Sequence, residues 1–274
     1  MLHRTQTVRK CRACRDDIHL PDFTMAFQPI VDVEAGEIFA HEALVRPPGG
    51  GAASDILNQI DENSVYAFDQ HCRVKAVQLA AKLGMQGLLS INFLPNAVYQ
   101  PAACLRKTLD AANRYGFRLD HLIFEVTENE QARDTPHLVE IFREYQRFGM
   151  KTAIDDFGAG HSGLALLADF QPDFVKIDMA LTRHIETDRA RRAITRSIIR
   201  LCAELGIQVI AEGVETLAEA ATLRDLGVRL FQGYLLARPA LEQLPDLTAD
   251  VIRSIHTVHE AMLLDQHEPV LATA

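Results

Sequence analysis

From Phe23 onward, short apolar runs rich in β-branched and aromatic residues alternate with longer stretches where apolar residues recur at helical spacing. The short runs predict strands over Met25–Val31, Glu37–Leu44, Leu88–Asn92, Leu122–Val126, Lys151–Asp155, Phe174–Ile177, Gln208–Ala211 and Leu230–Gln232. Asp32-Val33-Glu34-Ala35-Gly36 joins the first two as a hairpin. Later connections are long enough for helices, as parallel strands require. Helices are predicted over Asn63–Leu83, Pro101–Tyr115, Pro136–Phe148, Arg189–Leu205, Leu217–Leu226 and Leu241–Leu264. In the fourth, Ile194, Ile198, Leu201 and Leu205 mark an apolar stripe between arginines. Gly84, Gly116, Gly149, Gly206 and Gly227 follow helical patterns as C-cap signals.

About eight strands with intervening helices point to an α/β fold, a TIM-like (β/α)8 barrel with an antiparallel first strand. An open doubly wound sheet is the alternative, but the glycine-rich phosphate loop it usually carries is missing from the sequence. The expected organisation is a basic N-terminal leader (1–22), a barrel domain (23–264) and a loose C-terminal tail (265–274). The chain's 274 residues, 48% apolar and 24% charged, suffice for a large core. A net charge of -9 argues against a grip on long nucleic acids, and no apolar run is long enough to span a bilayer. Five cysteines (Cys11, Cys14, Cys72, Cys104, Cys202) at uneven spacing do not form a disulfide framework, so a reducing cytoplasm is expected.

Polar residues interrupt the apolar pattern at the strand ends. Glu42 lies near the end of the second run, Asn92 ends the third, and Glu125 nearly ends the fourth. Asp155 and Asp156 close the fifth, Lys176 lies late in the sixth, and Glu212 follows the seventh. A parallel barrel converges such positions on one rim, where active sites are built. Any one of them alone reads more readily as a helix cap, a loop hydrogen bond or a rim ion pair than as a functional residue. Together they gather five carboxylates, an amide and a lysine. Clustered carboxylates repel one another, and divalent cations are the usual compensation. Donor sets made only of oxygen favour Mg²⁺ or Mn²⁺ over zinc, and adjacent aspartates can serve a pair of ions that activate water for attack on phosphorus.

These residues sit in motifs that resemble a known family. Glu42-Ala43-Leu44-Val45-Arg46 is similar to the signature that names EAL domains. The resemblance continues through Gln28-Pro29-Ile30, Ile91-Asn92, Glu125-Val126-Thr127-Glu128, Asp155-Asp156-Phe157-Gly158, Lys176-Ile177-Asp178, Ala211-Glu212-Gly213-Val214-Glu215 and Gln232-Gly233-Tyr234. It covers roughly Phe23 to Leu241, and the run Ile91–Val98 is most like EAL modules attached to blue-light sensors.

The resemblance implies hydrolysis of one phosphodiester of cyclic di-GMP to linear pGpG, with two Mg²⁺ or Mn²⁺ ions and inhibition by Ca²⁺. Glu42, Asn92, Glu125 and Asp155 would hold the first ion. Asp155 would bridge to the second, beside Asp156, with Glu212 nearby. Lys176 would hold or deprotonate the attacking water. Gln28, Leu44, Arg46, Glu215 and Gln232 map to substrate-contacting positions, and Arg46 suits phosphate oxygens chemically. Glu128 would anchor the loop Phe157–Leu164 and couple it to a homodimer. A sensor or regulatory protein is a further partner class. His161, Gly163 and His41 depart from the family's pattern, which bears on loop rigidity and dimer coupling but removes no metal ligand.

Cys11-Arg12-Ala13-Cys14 is a single CxxC, which with His3 and His19 or a second chain could complete a zinc site. An incidental pair in a solvated basic leader is the plainer reading. Three functional classes follow: an active enzyme, a cyclic di-GMP receptor or protein-docking module, and a barrel metallohydrolase for another phosphodiester. The intact set Glu42, Asn92, Glu125, Asp155, Asp156, Lys176 and Glu212 favours the first.

Overall fold

A computed structural model of the chain describes residues 18–98, 101–128, 135–160 and 163–267. Strand β1 (Thr24–Asp32) turns back into β2 (Glu37–Arg46). The Asp32 carboxylate braces that turn by accepting the N–H groups of Glu34 (3.0 Å) and Ala35 (3.1 Å), an Asx arrangement that adds to the backbone bond from the Gly36 N–H to the Asp32 carbonyl (2.8 Å). The chain continues through α1 (Ser54–Leu57), α2 (Val65–Lys82), β3 (Leu88–Asn92), α3 (Pro101–Tyr115), β4 (Leu122–Thr127), α4 (Thr135–Arg147) and β5 (Lys151–Phe157). It ends with α5 (Gly163–Asp169), β6 (Phe174–Ile177), α6 (Met179–Thr182), α7 (Arg189–Glu204), β7 (Gln208–Ala211), α8 (Leu217–Asp225), β8 (Leu230–Phe231), β9 (Ala240–Leu241) and α9 (Ala249–His267).

Strands β2 to β8 pair in sequence order as parallel neighbours, and β1 pairs antiparallel with both β2 and β8. The sheet therefore closes into the eight-stranded mixed barrel that the sequence predicted. The open-sheet alternative is excluded. The five glycines read as C-caps all take positive φ, from 69° to 95°, a backbone region that costs glycine little.

Two departures have plain causes. The last helix starts at Ala249 rather than Leu241, because Pro245 cannot donate in a helix interior and biases Leu244 toward extended backbone. Ala240 and Leu241 instead form β9, an edge pairing with Phe27 and Ala26. This last helix runs to His267, so residues 265–267 are helical; the remaining tail residues and leader residues 1–17, with Cys11 and Cys14, lie outside the described set. Cys72, Cys104 and Cys202 lie within α2, α3 and α7.

The barrel floor sets up the site. Ile30, Ala40, Ile123, Ala153, Phe174, Ile210 and Leu230, one from each of the eight barrel strands but β3, form one buried apolar cluster. Burying each large side chain contributes roughly 1.5–3 kcal/mol. Side chains two residues apart on a strand share a face. One step above this floor therefore lie Gln28, Glu42, Glu125, Asp155, Lys176, Glu212 and Gln232. β3 contributes Ser90 and Asn92, in register with Glu42 and Glu125 respectively. A second cluster, including Leu89, Ile91, Phe93, Phe124, Phe142 and Tyr145, packs β3 and β4 against α4 and fixes the strands from outside.

Candidate active site

Lys176 is fully buried, and its ammonium donates into a ring of four carboxylates. Its Nζ lies 2.7 Å from Glu212 Oε1, 3.0 Å from Asp155 Oδ1, 3.1 Å from Glu125 Oε2 and 3.3 Å from Glu42 Oε2. Burial by itself would favour the neutral amine, but the surrounding carboxylates outweigh it and hold the ammonium well above its ordinary range. Glu42 also accepts from Asn92 Nδ2 (2.9 Å) and Gln232 Nε2 (2.7 Å), and Glu125 accepts from the Ser90 hydroxyl.

The charge does not balance: with Asp156 included, five carboxylates face one ammonium. Burial, reinforced by Glu42 and Asp155 against the pull of Lys176, pushes the Glu125 carboxyl up to about 8. Burial and then Asp155 lift Glu212 well above the carboxylate range. Burial with Asp155 and Asp178 raises Asp156 to about 6. Such a cluster must retain protons or take up cations.

The geometry fits hard cations. Oxygens of Glu42, Glu125 and Asp155 lie within 4.8 Å of one another, as do those of Asp155, Asp156 and Glu212. Asp155 belongs to both triads, the arrangement a bridging ligand needs. Strict strand alternation would point Asp155 and Asp156 to opposite faces. The β5–β6 register is irregular between Ile154 and Phe157, and Asp156 adopts φ 54°. That bulge turns both carboxylates to one rim.

Glu128 holds the following loop. Its carboxylate accepts the N–H groups of Gly163 (2.7 Å), Gly158 (2.8 Å) and Gly160 (3.0 Å). A Cβ at Gly163 would stand 2.5 Å from Phe157 Cε2, which accounts for glycine there. His161 lies outside the described residues. His41 is buried on the face of β2 opposite Glu42; its ring nitrogens have no hydrogen-bond partner among the described residues, and burial lowers its pKa to about 4.

Two recesses flank the carboxylates. A polar cleft of about 270 Å³ is lined by Gln28, Glu42, Glu212, Glu215 and Gln232, with Arg183 and Tyr234 at its outer end. A larger, mainly apolar pocket of about 520 Å³ is lined by Leu44, Arg46, Asn92, Phe93 and Thr127. All five residues read as substrate contacts thus border one of the two. The sequence reading missed Ser90, which strand alternation with Asn92 would have revealed. It also missed Arg183, whose ion pair with Glu215 (2.5 Å) links distant loops and leaves no local signal.

The EAL domain family profile matches residues 12–239. The chain belongs to the EAL domain family. This EAL domain is 32% identical over 223 residues to the blue light- and temperature-regulated antirepressor BluF of Escherichia coli K12, covering 81% of this chain and 55% of BluF. It is 32% identical over 228 residues to the probable cyclic di-GMP phosphodiesterase PdeD of the same organism, covering 80% and 42%. The chain thus spans about half the length of these curated relatives. Among solved structures, a standalone EAL protein from Vibrio cholerae O395, bound to c-di-GMP, matches with 50% identity and a TM-score of 0.81, over 84% of this chain and 97% of that one. The manganese and c-di-GMP complex of Klebsiella pneumoniae BlrP1 matches with 39% identity and a TM-score of 0.78, over 84% and 59%. Among the described residues, no helix is long and apolar enough to cross a membrane.

Proposed function

We propose that this EAL domain hydrolyses one phosphodiester of cyclic di-GMP to linear pGpG, using two Mg²⁺ or Mn²⁺ ions. The observation that carries the proposal is the sharing of Asp155 between two oxygen triads around Lys176. Phosphodiesterase relatives and the c-di-GMP-bound structural neighbours support the substrate.

Glu42, Asn92, Glu125 and Asp155 would hold one ion, and Asp155 with Asp156 the other, beside Glu212. Bound ions would supply an acidified water and offset charge on the leaving oxygen. Lys176, kept as an ammonium by its four carboxylates, would hold that water by donating to it; without a free lone pair it does not take the proton, so of the two roles the resemblance allowed only the holding role fits. Water adds to phosphorus, the bond to one ribose 3′-oxygen breaks, and the phosphate stays on the other nucleoside's 5′-oxygen. Gln28, Glu215 and Gln232 on one side, and Leu44 and Arg46 on the other, hold the two halves of the nucleotide. The protein acts as a homodimer, with the Glu128-anchored loop at the coupling point.

BluF is named an antirepressor, which favours one second reading: a module that binds the nucleotide or a regulatory protein without turnover. Incubation with cyclic di-GMP and Mn²⁺, with products separated by chromatography, distinguishes the two. pGpG supports the enzyme, and unchanged bound nucleotide supports the receptor.

A further inference from the structure

The outer end of the polar cleft carries an ion pair that the hydrolytic centre does not use. Arg183 Nη2 meets Glu215 Oε1 at 2.5 Å, with Glu215 39% exposed and facing the cleft. An isolated surface pair of this kind contributes little to stability. This pair stands on a built frame. Glu219, 1% exposed, accepts the N–H of His184 through one oxygen (3.1 Å) and those of Glu215 (2.9 Å) and Thr216 (3.1 Å) through the other. One buried carboxylate thereby clamps together the loop that carries Arg183 and the loop that carries Glu215. The Arg183 carbonyl is fixed as well, by Arg191 Nη1 at 3.0 Å. Beside the pair, the exposed Tyr234 ring is covered on one side by the Arg238 guanidinium at 4.1 Å.

We infer that Arg183 is a positioning residue for base recognition: it orients the Glu215 carboxylate so that the cleft accepts guanine and rejects adenine. This inference rests on the cyclic dinucleotide reading above. An ionised carboxylate only accepts hydrogen bonds. The Watson–Crick edge of guanine offers two adjacent donors, N1–H and the 2-amino group, which match a carboxylate. Adenine presents the N1 lone pair there and has no 2-amino group, so it repels the same oxygens. A carboxylate free to rotate toward solvent would lose this discrimination, while one fastened by a guanidinium keeps it. Arg183 touches neither the carboxylate ring nor Lys176 in the contacts described, so its loss should act on binding and leave the hydrolytic centre in place.

The test compares cyclic di-GMP with cyclic di-AMP, by calorimetric binding and by turnover with Mn²⁺, for wild type, Arg183→Met, Arg183→Lys and Glu215→Gln. Loss of one oriented, charge-assisted hydrogen bond corresponds to about tenfold. Arg183→Met should raise KM for cyclic di-GMP about tenfold with kcat nearly unchanged, and shrink the affinity ratio between the two nucleotides similarly. Arg183→Lys should recover part of the ratio. Glu215→Gln, which places an amide donor in the cleft, should shift preference toward adenine and keeps the test decisive if Arg183→Met misfolds. A wild-type ratio in folded Arg183→Met overturns the inference whatever Glu215→Gln does, and so does a wild-type ratio in Glu215→Gln. Absence of turnover in the wild type, with the affinity ratio intact and sensitive to Arg183, would instead overturn only the hydrolytic reading.

Discussion

The backbone N–H of Glu128 donates to the carbonyl oxygen of Asp155 at 2.9 Å. The residue that gathers the loop after β5 is thereby bonded to the carboxylate residue common to both oxygen triads. Any rearrangement of that loop is felt at Asp155, and small misplacements of reacting groups cost catalysis heavily.

Glu128→Ala strips three loop N–H groups of their acceptor while leaving the barrel floor untouched. Turnover should fall by at least about tenfold, with cyclic di-GMP affinity changed much less, and the dimer or its metal occupancy should loosen. Rates, calorimetric binding and light scattering across concentration check this. A fully active monomer, indifferent to the substitution, would remove loop coupling from the account.

Lys176→Ala should retain the metals and lose about 10²–10⁴-fold in kcat, the scale of a group that positions the attacking water. Metal content by elemental analysis separates this role from that of a ligand. An unaltered rate would show that the ammonium serves only as counter-charge.

Glu42→Ala and Asp155→Asn should abolish turnover without unfolding the chain. Each removes one negative charge from a cluster with carboxylates in excess, while Lys176 keeps three other partners. Circular dichroism and thermal melting should be near wild type, and Mn²⁺ affinity should drop. Retained Mn²⁺ affinity and rate would mean that neither residue is a ligand.

The metal-free protein should lose stability as pH rises. Glu125, with a carboxyl raised from 4.5 to about 8, and Asp156, raised to about 6, hold protons in the folded chain that the unfolded chain has already released. Stability therefore declines from the unfolded carboxylate range upward, and most of the decline is complete once pH passes the raised values. Mn²⁺ should flatten the dependence by replacing those protons, and its binding near neutrality should release them. Melting temperature against pH, with chelator and with Mn²⁺, reads this directly; a metal-free curve rising across the same interval would contradict the charge excess.

Most of this site was legible because strand alternation coincides with a barrel's gathering of strand ends on one rim. Alternation along each strand puts Glu42 above Ala40, Glu125 above Ile123 and Lys176 above Phe174, so polar breaks in apolar runs mark the rim. β3, β6, β7 and α3 have the bounds the sequence predicted. The short helices α1, α5 and α6, of four to seven residues, hold too few turns to show a period. β9 is an edge pairing fixed by contact with β1, not by its own sequence. The bulge that brings Asp156 round beside Asp155 depends on one positive φ and leaves no pattern in the chain. The Glu219 clamp is legible only in its local half, the Thr216-to-Glu219 capping box; its bond from the His184 N–H, 35 residues away, leaves none.

The central claim is tested most directly by following cyclic di-GMP by chromatography during incubation with the purified protein and, separately, Mg²⁺, Mn²⁺, Ca²⁺ or a chelator. The account predicts conversion to pGpG with Mg²⁺ or Mn²⁺, arrest on chelation, and binding with little turnover in Ca²⁺, whose longer and looser coordination misplaces the water. Tight nucleotide binding with no product under any of these ions would contradict it and make the protein a receptor.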